Sequence, residues 1–182
     1  TFEIEHINVD ALEKLEAEGV KVFPNSSTLR IIQDKSIQKQ FFIENNIPTA
    51  KYNFYNSLND FNAHDFPFVW KKTKFGYDGY GVRIIKSEKD LNNLPESPFI
   101  IEELVPFKKE LATTIARNQN GDIVIFPVVE MMFNNISNQV EFVVCPAQIS
   151  EELRLKAEKI ALKVSKTFKQ VGLLAVEMFL TQ

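Results

Sequence analysis

The chain has 182 residues, 45% of them hydrophobic and 25% charged, with a formal net charge of −3 at pH 7. That balance suits a globular chain long enough to bury a sizeable core in one or two domains, and it offers no basic footprint for nucleic acid. The one cysteine, Cys145, excludes an intrachain disulfide framework and reads as a buried core thiol in a reduced compartment, while no run approaches the ~18 apolar residues of a membrane span.

In chain order, Phe2, Ile4 and Ile7 alternate as in a strand. Asp10 is placed to cap a short helix carrying Leu12, Leu15 and Ala17, which Gly19 stops; residues 20–23 then read as another strand. Ser26, Ser27 and Thr28 offer caps for one helix over residues 29–45, with Leu29, Ile32, Ile37, Phe41 and Phe42 on or near its apolar face. Short helices are expected from Ser57 to Asn62 and from a Ser87 cap through Leu94, and residues 99–105 (FIIEELV) read as a strand holding two adjacent carboxylates. Residues 110–117 and 123–129 form a hairpin about Asn120-Gly121, and residues 141–145 add a strand. Ser150 opens the longest helix, to about Lys169, with Leu153, Ala157, Ile160, Ala161, Val164 and Phe168 on its buried face. The closing run VGLLAVEMFLTQ is a strand apolar enough to expect neighbours on both sides, so the chain reads as an internal fragment of a longer protein. The sixteen phenylalanines are expected to fill core, and the alternation of hairpins and helices is α+β.

The clearest chemistry lies in residues 66–85, FPFVWKKTKFGYDGYGVRII. Two β-rich runs, 66–70 and 82–85, flank Gly76, Gly79 and Gly81, and Lys71, Lys72, Lys74 and Arg83 surround them. Glycines free the backbone to approach a ligand, so the pattern suits a lid over a polyphosphate cradled by backbone N–H groups. The order G-x-x-G-x-G followed by a strand is not the dinucleotide fingerprint, and no Gly-Lys-Ser/Thr makes it a P-loop. A solvated hairpin whose glycines only serve the turn fits the same spacing. Further on, Glu177 stands within LLAVEMFL, where an ionised carboxylate is costly unless paired or bound to metal.

Taken together, RIIQDK, VWKKTKFGYDGYGV, FIIEELVPFKKEL and VGLLAVEMF resemble the ATP-grasp enzymes. With TFEIEHIN, GVKVFP and FPVVEMMFN…NQVEFVVCPAQIS, the chain is similar over essentially its whole length to the 5-(carboxyamino)imidazole ribonucleotide synthetases among them. The resemblance implies an ATP-grasp fold, with residues 1–24 a remnant of an N-terminal α/β domain and 25–50 a linking helix and connection. Residues 51–101 would be the lid domain and 102–182 the first, incomplete part of the C-terminal domain. It implies an ADP-forming ligase that makes a carbon–nitrogen bond. The full-length protein would carboxylate 5-aminoimidazole ribonucleotide with bicarbonate, through carboxyphosphate, in purine biosynthesis. ATP and magnesium would be its cofactors, and it would be a cytoplasmic homodimer with no nucleic-acid or membrane partner. Another ATP-grasp carboxylase or ligase, or a nucleotide-binding module without chemistry, are the alternatives.

Residue by residue, the resemblance makes Arg30 and Lys71 cationic ATP contacts and Gly76, Tyr77, Asp78, Gly79, Tyr80, Gly81 and Val82 the loop covering the phosphates. Glu102, Glu103, Leu104 and Val105 match the hinge whose backbone meets the adenine edge, and Glu110 matches the carboxylate that accepts the ribose hydroxyls. Without the resemblance Lys71 reads as a snorkelling surface lysine and the glutamates as exposed strand charges. Strand alternation alone leaves open whether Glu102 or Glu103 points inward. Glu177 matches one of two magnesium-bridging carboxylates; the second would lie beyond Gln182, so the fragment by itself is expected to be inactive. Phe133 falls where some relatives carry a histidine near the nucleotide, and no residue is assigned a catalytic role.

Overall fold

A computed structural model describes residues 1–2, 4–61, 66–76, 81–134 and 139–181. They divide into two compact units, one made of Thr1–Arg30 with Pro106–Gln182 and the other of Ile31–Val105.

The chain begins with α1 (Val9–Ala17) and α2 (Ser26–Ile32). Asn8, not Asp10, caps α1: its side-chain oxygen accepts from the Ala11 N–H at 3.0 Å, and Asp10 sits inside the first turn. The Glu16 carboxylate of α1 takes both the backbone N–H (3.0 Å) and the hydroxyl of Ser26, which fixes the start of α2. Neither of the two strands expected before Pro24 forms among the described residues, because no ladder partner runs beside them.

The single helix expected over residues 29–45 is two helices. Asp34 interrupts it, accepting from Ser36 N (3.0 Å) and Ile37 N (3.3 Å) and so opening α3 (Lys35–Glu44). A carboxylate that captures two N–H groups starts a new helix in place of continuing the old one. Four antiparallel strands follow in the second unit: β1 (Tyr52–Tyr55), β2 (Phe68–Lys72), β3 (Val82–Ile85) and β4 (Phe99–Glu103), in the order β1-β4-β2-β3. Short 3-10 turns at Leu58–Asp60 and Glu88–Leu91 take the places expected for the short helices, the second closed by a reciprocal Ser87–Asp90 capping box. Strand alternation puts Phe68, Trp70, Ile85 and Phe99 on one face, where with Leu94 they form the unit's core under Tyr55, Leu58, Phe61 and Leu91. Val69, Lys71, Ile100 and Glu102 lie on the other face, towards α3.

The first unit resumes with β5 (Lys109–Arg117), β6 (Ile123–Ile125), β7 (Val129–Phe133), β8 (Val140–Val144), α4 (Glu151–Phe168) and β9 (Gly172–Leu180). β5 is central: β9 pairs along its whole length on one side, β7 and β6 pair its two halves on the other, and β8 extends the sheet from β7. The β5–β6 hairpin turns at Gly121, whose φ of +91° needs glycine. Helix α4, capped by Ser150, lays Ala157, Ala161, Val164 and Phe168 on β5 and β9. Leu111, Val128 and Ala157 are the buried cluster there, with Ile149, Met178 and Leu180 packed on it.

Two expectations about burial are overturned, those for Cys145 and for the phenylalanines. The two-sided pairing expected of the closing strand is not contradicted: among the described residues β9 pairs with β5 on one side, and Leu173, Ala175, Glu177 and Phe179 are exposed in alternation. Cys145 is exposed, because it follows β8, whose first four residues are all exposed. Phe68, Phe99 and Phe168 are core, but Phe54, Phe75, Phe107, Phe126, Phe142 and Phe179 are exposed, so the phenylalanine count overstates the core.

Candidate nucleotide site

Within the second unit, the antiparallel register places Val69 opposite Glu102 and Lys71 opposite Ile100. Lys71 and Glu102 thereby come onto the same face, and Glu102 points inward while Glu103 is exposed. The Glu102 carboxylate, only 5% exposed, binds the Lys39 ammonium through Oε1 at 2.9 Å and the Lys71 ammonium through Oε2 at 2.6 Å. Lys39 Nζ is held further by Thr49 Oγ1 at 2.6 Å. Burial alone would push the Glu102 carboxyl up, but the Lys71 and Lys39 charges overcome it and hold it below the usual carboxylate range. Burial pulls the Lys39 ammonium down from its ordinary value, against the opposing pull of Glu102. One carboxylate against two ammonium groups leaves a net positive charge on the face that carries Lys71.

Lys71 sits one residue before the end of β2, at the foot of the glycine hairpin. Lys72 N donates to Gly81 O at 2.8 Å, closing the stem. Gly81 has φ +79°, and a Cβ there would lie 3.3 Å from Lys72 Cβ and 3.4 Å from the Gly76 Cα, so glycine is required. The start of α3 grips the stem: Lys35 N donates to Thr73 O (2.9 Å), Lys35 Nζ to Gly76 O (3.4 Å), and Lys74 pairs with Asp34 at 3.5 Å. Tyr77, Asp78, Gly79 and Tyr80, assigned to the phosphate loop, lie outside the described residues; Val82 opens β3 and is exposed.

The expected hinge divides in two. Glu102 and Glu103 belong to β4, and Glu103 N already donates to Lys51 O at 3.0 Å, whereas Leu104 and Val105 follow the end of the strand. Backbone groups not committed to the ladder therefore begin at Leu104.

In the first unit, Arg30 reaches back to α1, with Nη2 at 2.6 Å from Asp10 and 2.9 Å from Glu13, and its side chain stays 46% exposed. Glu110 and Glu177 share the sheet face opposite α4: Glu110 is paired with Phe179 and Ala112 with Glu177. The two residues are diagonal neighbours, their Cα atoms roughly 7–8 Å apart by strand geometry. Met131 and Val129, opposite Glu110 and Ala112, complete this open face, and half-buried Phe133 ends β7 beside them. Glu177 is exposed, which corrects the reasoning that burial demands a metal at that position. No group of three or more His, Cys, Asp or Glu able to hold a metal occurs among the described residues. Exposed carboxylate oxygens do fit magnesium, which takes one or two protein carboxylates and shares the rest of its shell with phosphate and water.

The sequence reading missed Lys39. The signal lay in its place on α3, but a lysine on an amphipathic helix reads as solvated until its partner on another strand is known.

The family model for the ATP-grasp domain matches residues 40–182. The chain is 34% identical over 183 residues to N5-carboxyaminoimidazole ribonucleotide synthase of Synechocystis, covering 99% of this chain and 46% of that protein. The crystal structure of the N5-carboxyaminoimidazole ribonucleotide synthetase from Thermotoga maritima superimposes with a TM-score of 0.82 at 40% identity, over 99% of this chain and 46% of that one. The synthase from Aspergillus clavatus, solved with ADP and 5-aminoimidazole ribonucleotide, matches with a TM-score of 0.82 at 27% identity, over 99% of this chain and 48% of that one. The chain thus spans about half the length of these relatives. With a mixed α+β architecture, a lysine at the foot of a glycine hairpin and a family match over most of its length, the chain belongs to the ATP-grasp family.

Proposed function

We propose that this chain is the nucleotide-holding part of an ATP-dependent ligase that carboxylates 5-aminoimidazole ribonucleotide with bicarbonate. The observation that carries the reading is the Lys39–Glu102–Lys71 cluster at the foot of the glycine hairpin, two ammonium groups on one carboxylate and so a net positive site where a polyphosphate would lie. The similar proteins named above, one of them solved with ADP and the aminoimidazole nucleotide, support the choice of substrates.

In this reading Lys71 binds the α- and β-phosphates as a point charge, and Gly76 and Gly81, without side chains, let backbone approach them. Leu104 and Val105 offer backbone to the adenine edge. Glu110 accepts the ribose hydroxyls, and Glu177 supplies one carboxylate oxygen to magnesium. Magnesium, when bound, neutralises charge on the transferring phosphoryl group. A bicarbonate oxygen attacks the γ-phosphorus and ADP leaves; the exocyclic amine then attacks the carboxyl carbon of carboxyphosphate, and phosphate leaves. No protein nucleophile takes part, so the side chains act by position and charge. A cytoplasmic homodimer belongs to the same reading and rests on the family resemblance.

The test uses the complete protein that carries this chain, assayed for ADP release that depends on both bicarbonate and aminoimidazole ribonucleotide. Lys71→Ala should weaken ATP binding by roughly 1.5–3 kcal/mol, the worth of a charge-assisted contact, and leave aminoimidazole ribonucleotide nearly unaffected in calorimetry. Equal losses for the two ligands would count against the site. ATP binding with no turnover on any combination of substrates would favour the module without chemistry.

A further inference from the structure

Helix α3 has the makings of an ordinary amphipathic helix, yet its buried position is not apolar. Its one buried residue is Lys39, while Ile37 and Ile43 on the same helix are 43% and 53% exposed. Taking an ammonium group out of water costs several kcal/mol unless well-placed partners repay it, and an apolar residue of similar length would seat such a helix at least as well. A lysine there calls for a use beyond packing. Its surroundings are specific: Thr49 Oγ1 at 2.6 Å anchors the ammonium from the connection after α3, Ala50 O lies at 3.5 Å, and Glu102 Oε1 at 2.9 Å joins it to the sheet. Glu102 in turn holds Lys71 through its other oxygen, so the three side chains form a chain from the buried Lys39 to Lys71, whose side chain is 22% exposed.

We propose that Lys39 is a positioning residue for Lys71, acting through Glu102 to hold the Lys71 ammonium at the mouth of the site with its charge uncancelled. The inference rests on the reading that Lys71 meets the phosphates of ATP. With Lys39 in place, Glu102 is already neutralised on one side. Lys71 is fixed by a single contact to Oε2, which leaves donors of its three N–H groups for an incoming anion. Remove Lys39, and the full negative charge of Glu102 faces Lys71 alone. The pair then becomes neutral, and Lys71 is drawn towards the carboxylate and away from the phosphates. Lys39 touches no substrate in this scheme; it sets the place and net charge of the residue that does.

The experiment compares ATP and adenosine binding by calorimetry in the complete protein, for the wild type, Lys39→Met, Lys39→Arg, Lys71→Ala and the Lys39→Met/Lys71→Ala double variant. Lys39→Met should weaken ATP about tenfold, the scale of one displaced charge-assisted contact, and leave adenosine unchanged because adenosine has no phosphate for Lys71 to meet. Lys39→Arg, which keeps the charge, should recover most of the loss. On the Lys71→Ala background, Lys39→Met should have no further effect on ATP, since its route to the ligand is gone. Equal loss of ATP and adenosine in Lys39→Met would reduce Lys39 to a structural part and overturn the proposal, as would a further loss in the double variant. If Lys71→Ala weakens ATP but Lys39→Met does not, Lys39 is excluded while the phosphate site stands. If Lys71→Ala leaves ATP unchanged, the phosphate site itself fails. Should Lys39→Met not fold by circular dichroism, Lys39→Gln, which keeps a donor for Glu102 without charge, is judged by the same comparison.

Discussion

At the scale of single residues, one buried carboxylate organises the second unit's charged face. Glu102 is ionised because two ammonium groups outweigh the burial that would protonate it. Deleting it with Glu102→Ala strands both charges and should cost about 3–5 kcal/mol of stability. The sign of its pH dependence follows from a folded pKa below the ordinary value of 4.5: the contribution is fully present above that value and is lost as the pH falls through the lower folded one. In urea unfolding followed by the emission of Trp70, the chain's one tryptophan, the stability gap between wild type and Glu102→Gln should be widest near pH 7 and close in acid below the ordinary carboxylate range. A gap independent of pH would mean that Glu102 is not an ionised partner of these lysines.

At the scale of elements, α3 does two jobs from its two parts. Its middle carries Lys39 to the sheet, and its first turn holds the stem of the glycine hairpin through Lys35 and the Asp34 cap. Asp34 carries both parts of that start, since the same carboxylate caps the helix and pairs with Lys74. Asp34→Ala should lower stability by about 1–2 kcal/mol through loss of the cap, and Asp34→Asn, which still accepts from the same N–H groups, should recover most of it. The Lys74 contact is exposed on the lysine side and adds little to that figure. Chemical denaturation of the two variants provides the check, and equal losses in both would move the effect from the cap to the ion pair.

At the scale of the whole molecule, two separately cored units each carry candidate residues of their own. The second presents Lys71 and the hairpin, and the first presents Glu110 and Glu177 on the sheet face away from α4. Because Glu177 is exposed, Glu177→Gln should shift stability by less than about 0.5 kcal/mol. In the complete protein the same variant should raise the magnesium concentration needed for half-maximal ATP turnover and lower the turnover reached. A melting temperature unchanged together with an unchanged magnesium requirement would remove Glu177 from the metal reading.

The amino-acid sequence by itself determined the features whose causes are local. The 3.6-residue spacing of Ala157, Ala161, Val164 and Phe168 defined the buried face of α4, Asn120-Gly121 marked a hairpin, and the glycines about residues 76–81 marked the loop beside Lys71. Local competition was harder to see: Asp34 breaks a continuous apolar pattern because its carboxylate binds two N–H groups that would otherwise extend α2. Strand surroundings were not legible at all. An apolar run has the same letters in a buried strand and in an exposed one, so Glu177 and Cys145 look buried in the sequence and are exposed. Which of Glu102 and Glu103 faces inward depends on register, and a one-residue slip would exchange them. Only the tertiary structure, by pairing β4 with β2 and laying α3 across that face, brought Lys39, Glu102 and Lys71 together; charge pairing between residues distant in the chain leaves no periodic trace in the sequence.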